Sequence, residues 1–503
     1  MRRIFLAVVL FALSAAALDQ PVRTQAGLVS GTAGKSPEVR VYKGIPYAAP
    51  PVGDLRWKAP RPVAGWQDVR QVSEFGPTCM QSPYAATSPY RSNLGQVSED
   101  CLYLNVWTAA KSARERLPVM VWIHGGAFTR GSGSTPTYDG EAFAKKGVVL
   151  VTVNYRLGVF GFFAHPELTA ESEHHSSGNY GMLDQIAALE WVQKNIAAFG
   201  GDPKRVTIFG ESAGSFAVNT LMATPLAKGL FHRVIGESGA MFSLMAALAE
   251  AEKSGEKFGS LKDLRAKSAD DLLKAEGQWT ANRPKVDGWL LPKDIYTIFA
   301  DGRQNDVPVL AGSNADEGTT LSPYPPSGTA QLFQEQVKRR YPQHVEQFLK
   351  LYPAGNDEQA RKSHYTAFSD AFFWQMHTWV RLASKTGRAP TWQYYFTRIP
   401  PGPLGQRLGS YHAAEIQYVF GNLNPERPWE EADRKLSETM SAYWVNFATN
   451  GNPNGKGLPE WPAYKEKNGT VLEFGNQIAA RPNFHLEPVA FLDSYYQSLR
   501  TGN

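Results

Sequence analysis

Cysteine is nearly absent from this 503-residue chain, which has two, Cys79 and Cys101. Without a third thiol, a cysteine-rich zinc site and an iron–sulfur centre are excluded. Long apolar runs are scarce too. The N-terminal one, about 15 residues from Ile4 onward, falls short of the roughly 20 that a membrane-spanning helix needs, so no stable membrane anchor is expected. Clusters of lysine and arginine interleaved with aromatics are missing, and the net charge is only +5, so no nucleic-acid partner is indicated. Repeats, low-complexity tracts and linkers are also lacking, which favours one domain over several.

What stands at the N-terminus is informative. Met1-Arg2-Arg3 precedes an apolar stretch from Ile4 to Leu13 and the small residues Ser14-Ala15-Ala16-Ala17. This is the pattern of a signal peptide spanning residues 1–17, and it sends the mature chain to the periplasm or the medium. Arg2-Arg3-Ile4-Phe5-Leu6 also brushes against the twin-arginine export pattern. In an exported chain, Cys79 and Cys101 are expected to form a disulfide pinning residues 80–100, worth about 3 kcal/mol in the chain-entropy model.

With 43% hydrophobic residues the chain can bury a large core. Cys101 to Trp107 alternates as a strand. Pro118 to Ile123 and Val148 to Val153 are continuous apolar runs, as in strands buried on both faces. Leu189, Val192, Ile196 and Phe199 recur at helical spacing before Gly200-Gly201. Further strands are expected at Val206 to Phe209, Val307 to Gly312 and Trp392 to Thr397, and a hairpin at Asn468-Gly469. Segments near residues 241–305 and 321–390 are helical and polar. The fold class is therefore α/β, a mostly parallel sheet covered on both faces.

Chemistry gathers at Gly210-Glu211-Ser212-Ala213-Gly214, a G-x-S-x-G between a strand and a helix. Composition alone yields about 0.3 chance matches to that pattern in such a chain, so its context carries the signal. A serine at the apex of so tight a turn needs glycines beside it, because a Cβ there would strike neighbouring backbone. Gly236-Glu237-Ser238-Gly239 imitates the motif but lacks the last glycine. A nucleophile requires a base, and of ten histidines His412 follows a strand in a Gly-Ser-Tyr loop able to reach the sheet edge. His344, His364, His377 and His485 sit in polar helical or proline-bounded surroundings. An acid follows the strand before, as Asp316 or Glu317; chemistry alone does not choose between them. Gly34-Lys35-Ser36 lacks the first glycine of a phosphate loop, and His174-His175 lacks partners for a metal.

These motifs, together with Gly44-Ile45-Pro46-Tyr47-Ala48, Glu99-Asp100-Cys101-Leu102-Tyr103-Leu104-Asn105, His124-Gly125-Gly126-Ala127-Phe128, Asp316-Glu317-Gly318 and His412-Ala413-Ala414-Glu415, resemble the type-B carboxylesterase family of α/β hydrolases. That family includes cholinesterases and bacterial p-nitrobenzyl-type esterases. The resemblance implies a single α/β-hydrolase domain over residues 18–503, with helical insertions over the site. It implies Ser212, Glu317 and His412 as a triad, an oxyanion hole from the N–H groups of Gly126, Ala127 and Ala213, and supporting positions for Ser238 and Glu415. It further implies the Cys79–Cys101 disulfide, ion pairs Arg56–Glu99 and Arg156–Asp184, and no metal or organic cofactor.

Two departures matter. Ala127 stands where many members have a third glycine, and the Cys79 to Cys101 loop holds Tyr84 and Tyr90 but no tryptophan, which argues against a choline ester. The expected partner is a small ester with an apolar acyl or alcohol group, held by that loop, the region after Met241-Phe242 and the loop from Thr319 to Pro326. Two other readings are an interfacial lipase, which would jump in activity at the critical micelle concentration, and a non-catalytic binding or adhesion module, which the full triad disfavours.

Overall fold

The computed structural model describes residues 18–275, 283–325 and 327–502. The leader read in residues 1–17, and Pro326 of the expected pocket loop, lie outside the described residues.

The central sheet has eleven strands. In chain order they are β1 (Thr32–Ala33), β2 (Arg40–Pro46), β3 (Tyr103–Thr108), β4 (Leu117–Ile123), β5 (Val149–Val153), β6 (Gly201–Glu211), β7 (Arg233–Glu237), β8 (Val309–Asn314), β9 (Thr391–Phe396), β10 (Val471–Phe474) and β11 (Ile478–Arg481). Across the sheet they lie in the order β1-β2-β3-β5-β4-β6-β7-β8-β9-β10-β11. From β5 to β10 every neighbour is parallel. The antiparallel members sit at the edges.

The apolar runs explain themselves here. Along β4, Val119, Val121 and Ile123 enter one hydrophobic core while Met120 and Trp122 enter the other. Successive side chains of a strand point to opposite faces, so a strand sandwiched between helices must be apolar at every position. Helices α1 (Tyr180–Asn195), α2 (Ala213–Ala223) and α3 (Asp357–Thr386) feed the first core, and α4 (Glu431–Asn450) the second. The expected helical run to Phe199 ends differently: α1 stops at Asn195, and a 3₁₀ turn over Ile196–Phe199 closes on Gly200 at φ +81°.

The hairpin lies one strand later than Asn468-Gly469. Asn468 and Gly469 both donate to Lys465 O, and residues 461–468 form no strand; the Tyr464 N–H bonds Thr391 O at 2.7 Å. The observed hairpin pairs β10 with β11 around residues 475–477. Gly34-Lys35-Ser36 is no anion site: the N–H groups of Lys35 and Ser36 are taken by the Glu141 carboxylate, at 3.1 and 2.6 Å. Short helices Leu248–Glu256, Leu261–Ala266, Ala269–Ala275, Ala330–Arg340 and Val345–Leu351 fill the two polar stretches. Among the described residues no helix is long and apolar enough to cross a membrane.

The order β5-β4-β6 makes β4 the point where the winding reverses, and the carboxyl ends of β4 and β6 open there side by side. His124 follows one and Ser212 the other.

Candidate active site

Ser212 occupies the turn between β6 and α2 at φ +55°, ψ −121°, a conformation costly for any residue with a Cβ. It is held by its own N–H, which donates to Glu237 O at 2.8 Å on the neighbouring strand. The flanking glycines are required by contact. A Cβ on Gly214 would stand 1.9 Å from Ile123 O, and one on Gly210 would stand 2.5 Å from the same oxygen.

The acid and the histidine meet above β8. Glu317 is fully buried; its Oε1 accepts the Asn314 N–H at 2.8 Å, and its Oε2 lies 2.5 Å from His412 Nδ1. Asp316, the other candidate, points elsewhere: its Oδ2 accepts the Ser410 N–H at 2.8 Å, and its own N–H donates to Ser410 O. Asp316 thus pins the histidine loop, which leaves the imidazole to Glu317. The far nitrogen does not reach the serine. Among the described residues no hydrogen bond joins Ser212 Oγ to His412, and Nε2 stands 3.0 Å from Glu211 Oε1, off the axis of a good hydrogen bond.

The turn after β4 lies against this pair. A Cβ on Gly125 would stand 2.7 Å from Glu211 Oε2 and 3.1 Å from Ser212 Cβ. The chain then passes through three positive φ angles, +108° at Gly126, +56° at Ala127 and +60° at Phe128. Ala127 is exposed, whereas Phe128 is buried and packs edge-on against Phe162. Among the described residues the N–H groups of Gly126, Ala127 and Ala213 have no protein acceptor. Uncommitted backbone donors beside a strained serine can receive an oxyanion.

A carboxylesterase family model matches residues 19–492. The chain belongs to the carboxylesterase family. It is 39% identical to fumonisin B1 esterase of Sphingopyxis macrogoltabida, an alignment covering 94% of this chain and 90% of that one. It is 38% identical to para-nitrobenzyl esterase of Bacillus subtilis (strain 168), over 91% and 95% of the two chains. Among solved structures a PNB esterase superposes with a TM-score of 0.82 at 36% identity, over 94% of this chain and 99% of that one. The fold is accordingly that of the α/β hydrolases.

In this carboxylesterase the ion pairs Arg56–Glu99 and Arg156–Asp184 are present, with shortest contacts of 2.5 and 2.7 Å. The sulfurs of Cys79 and Cys101 are 2.07 Å apart. Ser238 is buried at φ +56°, its hydroxyl unpartnered and its N–H bonded to Gly312 O. Glu415 accepts from Asn314 Nδ2 at 2.5 Å, and the same amide donates to Tyr411 O.

Of the buried acids beneath this carboxylesterase's site, sequence reasoning named Glu415 and missed Glu211 and Glu237. Burial, first of all, raises the carboxyls of Glu211, Glu237 and Glu415; Glu211 adds repulsion at the other two, while at Glu211 itself His412 opposes the rise and Glu317 reinforces it. For His412, burial alone would push the imidazole down, but the carboxylates of Glu211 and Glu317 override it and hold it well above its ordinary value. A base must be neutral to accept a proton, so with His412 in that role the imidazolium would set the acidic limb of activity. Glu211→Gln removes one of the two stabilising charges and is expected to move that limb of kcat/KM to lower pH. An unmoved limb in the pH–rate profile counts against this assignment.

Glu237 accepts the Trp444 indole N–H at 2.8 Å, and its carboxyl is pushed up to about 8. Its protonated form contributes stability that is complete below the unfolded carboxyl value of roughly 4.3 and is lost as pH rises through about 8. Glu237→Gln keeps the acceptor but cannot ionise. Its Tm is expected to fall less than wild type's between pH 6 and 9 in a thermal melt, and a parallel fall refutes the claim.

Residues from two of the three expected wall segments meet at His412, and a further wall comes from α3. From the Cys79 to Cys101 loop, Tyr90 shares its hydroxyl between Thr320 Oγ1 at 2.8 Å and His412 O at 3.1 Å. On another side Phe372 of α3 packs edge-on against His412 at 5.6 Å and meets Phe216 of α2. Phe242 itself is buried against Phe299. Phe372 went unnoticed because its segment reads as polar; helical spacing of Phe368, Phe372 and Phe373 was the available signal.

Proposed function

We propose that this chain is an exported serine carboxylesterase acting through an acyl-enzyme on Ser212. His412 takes the serine proton, Glu317 holds the imidazole tautomer and stabilises its charge, and the N–H groups of Gly126, Ala127 and Ala213 bind the oxyanion. The observation that carries the reading is the 2.5 Å contact of His412 Nδ1 with buried Glu317, beside a strained Ser212 and uncommitted backbone donors.

In the cycle the imidazole turns Nε2 from Glu211 to Ser212 Oγ as the hydroxyl attacks the ester carbonyl. The tetrahedral oxyanion is stabilised by the backbone donors, each worth about 3 kcal/mol where such a group is removed. The proton passes to the leaving alcohol, and water repeats the sequence to release the acid. Asn314 binds Glu317, Glu415 and the carbonyl of Tyr411, which supports a positioning role for Glu415; Ser238 backs the elbow. The leader of residues 1–17 is removed on export, Cys79 and Cys101 form a disulfide, and residues 18–503 form one domain whose polar helical segments cap the site.

Phe216 and Phe372 support an apolar acyl or alcohol subsite. Hydrolysis of 4-nitrophenyl esters is expected to peak at short acyl chains, about two to six carbons for a wall of this kind, and to fall severalfold by dodecanoate. The decisive test treats the enzyme with diethyl 4-nitrophenyl phosphate and maps the adduct by mass spectrometry. One diethylphosphoryl group on the peptide holding Ser212, with loss of activity in proportion, is expected. An adduct elsewhere, or inactivation without one, defeats the reading.

A further inference from the structure

Arg130 closes the turn that carries Gly126. Its N–H donates to Gly126 O at 2.9 Å, and its own carbonyl oxygen would meet a Cβ on Gly126 at 2.1 Å. The backbone of Arg130 is therefore locked to that of the oxyanion turn. Its side chain lies along the Cys79 to Cys101 loop: Nε donates to Ser82 O at 3.1 Å, and the guanidinium stacks 5.3 Å from the Tyr84 ring centre. Tyr84 packs 6.0 Å from Tyr90, which stands edge-on to His412 at 6.4 Å. Burial raises the Tyr84 phenol to about 12, with Arg130 opposing and Glu211 reinforcing. The row from Arg130 to His412 is one continuous wall.

Two other guanidiniums beside the Cys79 to Cys101 disulfide are matched. Arg56 and Arg156 each grip a carboxylate through two nitrogens. Arg130 is half-buried and, among the described residues, has no carboxylate within ion-pair distance; its side chain bonds only the Ser82 carbonyl. Its terminal N–H groups thus present an uncommitted planar fork, pre-oriented by stacking, whose natural complement is a bidentate carboxylate. Glu211, whose charge is felt at Tyr84, is turned to His412 and is not within ion-pair distance of Arg130.

We propose that Arg130 is a specificity-determining residue that binds a carboxylate on the substrate, so that the preferred ester is apolar along Phe216 and Phe372 and anionic along Tyr84 and Tyr90. The inference rests on the reading of Ser212 as the nucleophile. It names the substrate class as monoesters of dicarboxylic acids, or esters whose alcohol bears a carboxylate.

Two matched pairs test it in the full-length enzyme. 4-Nitrophenyl hydrogen adipate against 4-nitrophenyl hexanoate places the charge on the acyl half; 4-butyryloxybenzoate against its methyl ester places it on the alcohol half. In at least one pair the anionic-to-neutral ratio of kcat/KM is expected to fall about tenfold in Arg130→Met, chiefly through KM, with Arg130→Lys retaining part of the preference. Added sodium chloride should weaken the wild-type preference. A ratio that is unchanged in both pairs, or equal losses on charged and neutral members, overturns the proposal. Binding of free adipate, read by calorimetry on both wild type and Ser212→Ala, separates the two hypotheses. Adipate bound about tenfold more weakly by Arg130→Met sustains the anion site even if no ester is turned over, and equal binding refutes it. Esters hydrolysed as fast by Ser212→Ala as by wild type refute the nucleophile instead.

Discussion

Replacing Ser212 with alanine is expected to lower kcat for 4-nitrophenyl butyrate by on the order of 10⁶, about 8 kcal/mol of barrier at 1.36 kcal/mol per tenfold, while KM changes little. The loss is large because the serine supplies the bond that forms; the uncommitted N–H groups of Gly126, Ala127 and Ala213 leave only the residual acceleration of an oxyanion site. The protein should still fold. Ser212 is tied down through its backbone N–H, so the thermal midpoint is expected to stay within a few degrees. Ser238 cannot substitute, because it is fully buried and no substrate carbonyl can approach its hydroxyl. Hydrolysis by the variant at more than about a hundredth of the wild-type rate, after contaminant esterase is excluded by inhibitor titration, would place the nucleophile elsewhere.

What was legible in the chain depended on whether the determining contact was local. The glycines of the elbow could be read because part of their reason lies within a few residues: a Cβ on Gly210 would stand 2.7 Å from the carbonyl carbon of Gly214 and 2.8 Å from its oxygen, a collision set by the tightness of the turn itself, whereas the further clash of both glycines with Ile123 O is set by the neighbouring strand. The alternation hidden in the run from Pro118 to Ile123 was equally legible, since a strand covered on both faces has no polar side. Glu211 was not. It occupies the unspecified position of G-x-S-x-G, and its meaning arises only because the loop after β9, some two hundred residues later in sequence, delivers His412 Nε2 to within 3.0 Å of it. Asp316 and Glu317 show the same limit from the other side. Adjacent carboxylates have equal chemistry on paper, and the difference is made by Ser410, whose N–H claims Asp316. Asn468-Gly469 misled for the opposite reason: the turn is real, but no strand leads into it, and β10 after it pairs forward with β11.

Glu317→Gln is expected to lower kcat by about 10³- to 10⁴-fold, mainly by setting the wrong tautomer. The carboxylate now satisfies two donors at once, the Asn314 N–H at Oε1 and His412 Nδ1 at Oε2. A glutamine offers one carbonyl oxygen and one NH₂ to those same two places. If the oxygen faces Asn314, the NH₂ faces Nδ1, which must then carry the lone pair, and the proton moves to Nε2, where it blocks acceptance from Ser212. If the oxygen faces Nδ1, the Asn314 N–H is left buried against an NH₂, at a cost of about 1 to 3 kcal/mol. The first arrangement is therefore favoured. Glu211 strengthens that choice, because its Oε1 stands ready for an Nε2 proton 3.0 Å away. It follows that Glu211→Gln, added to Glu317→Gln, should recover part of the lost rate by withdrawing the partner that stabilises the unproductive tautomer. Nitrogen-15 chemical shifts of the His412 ring, with kcat for the two single variants and the double variant, decide the matter. A double variant as slow as the product of the single losses shows that the two carboxylates act independently, and the tautomer explanation then fails.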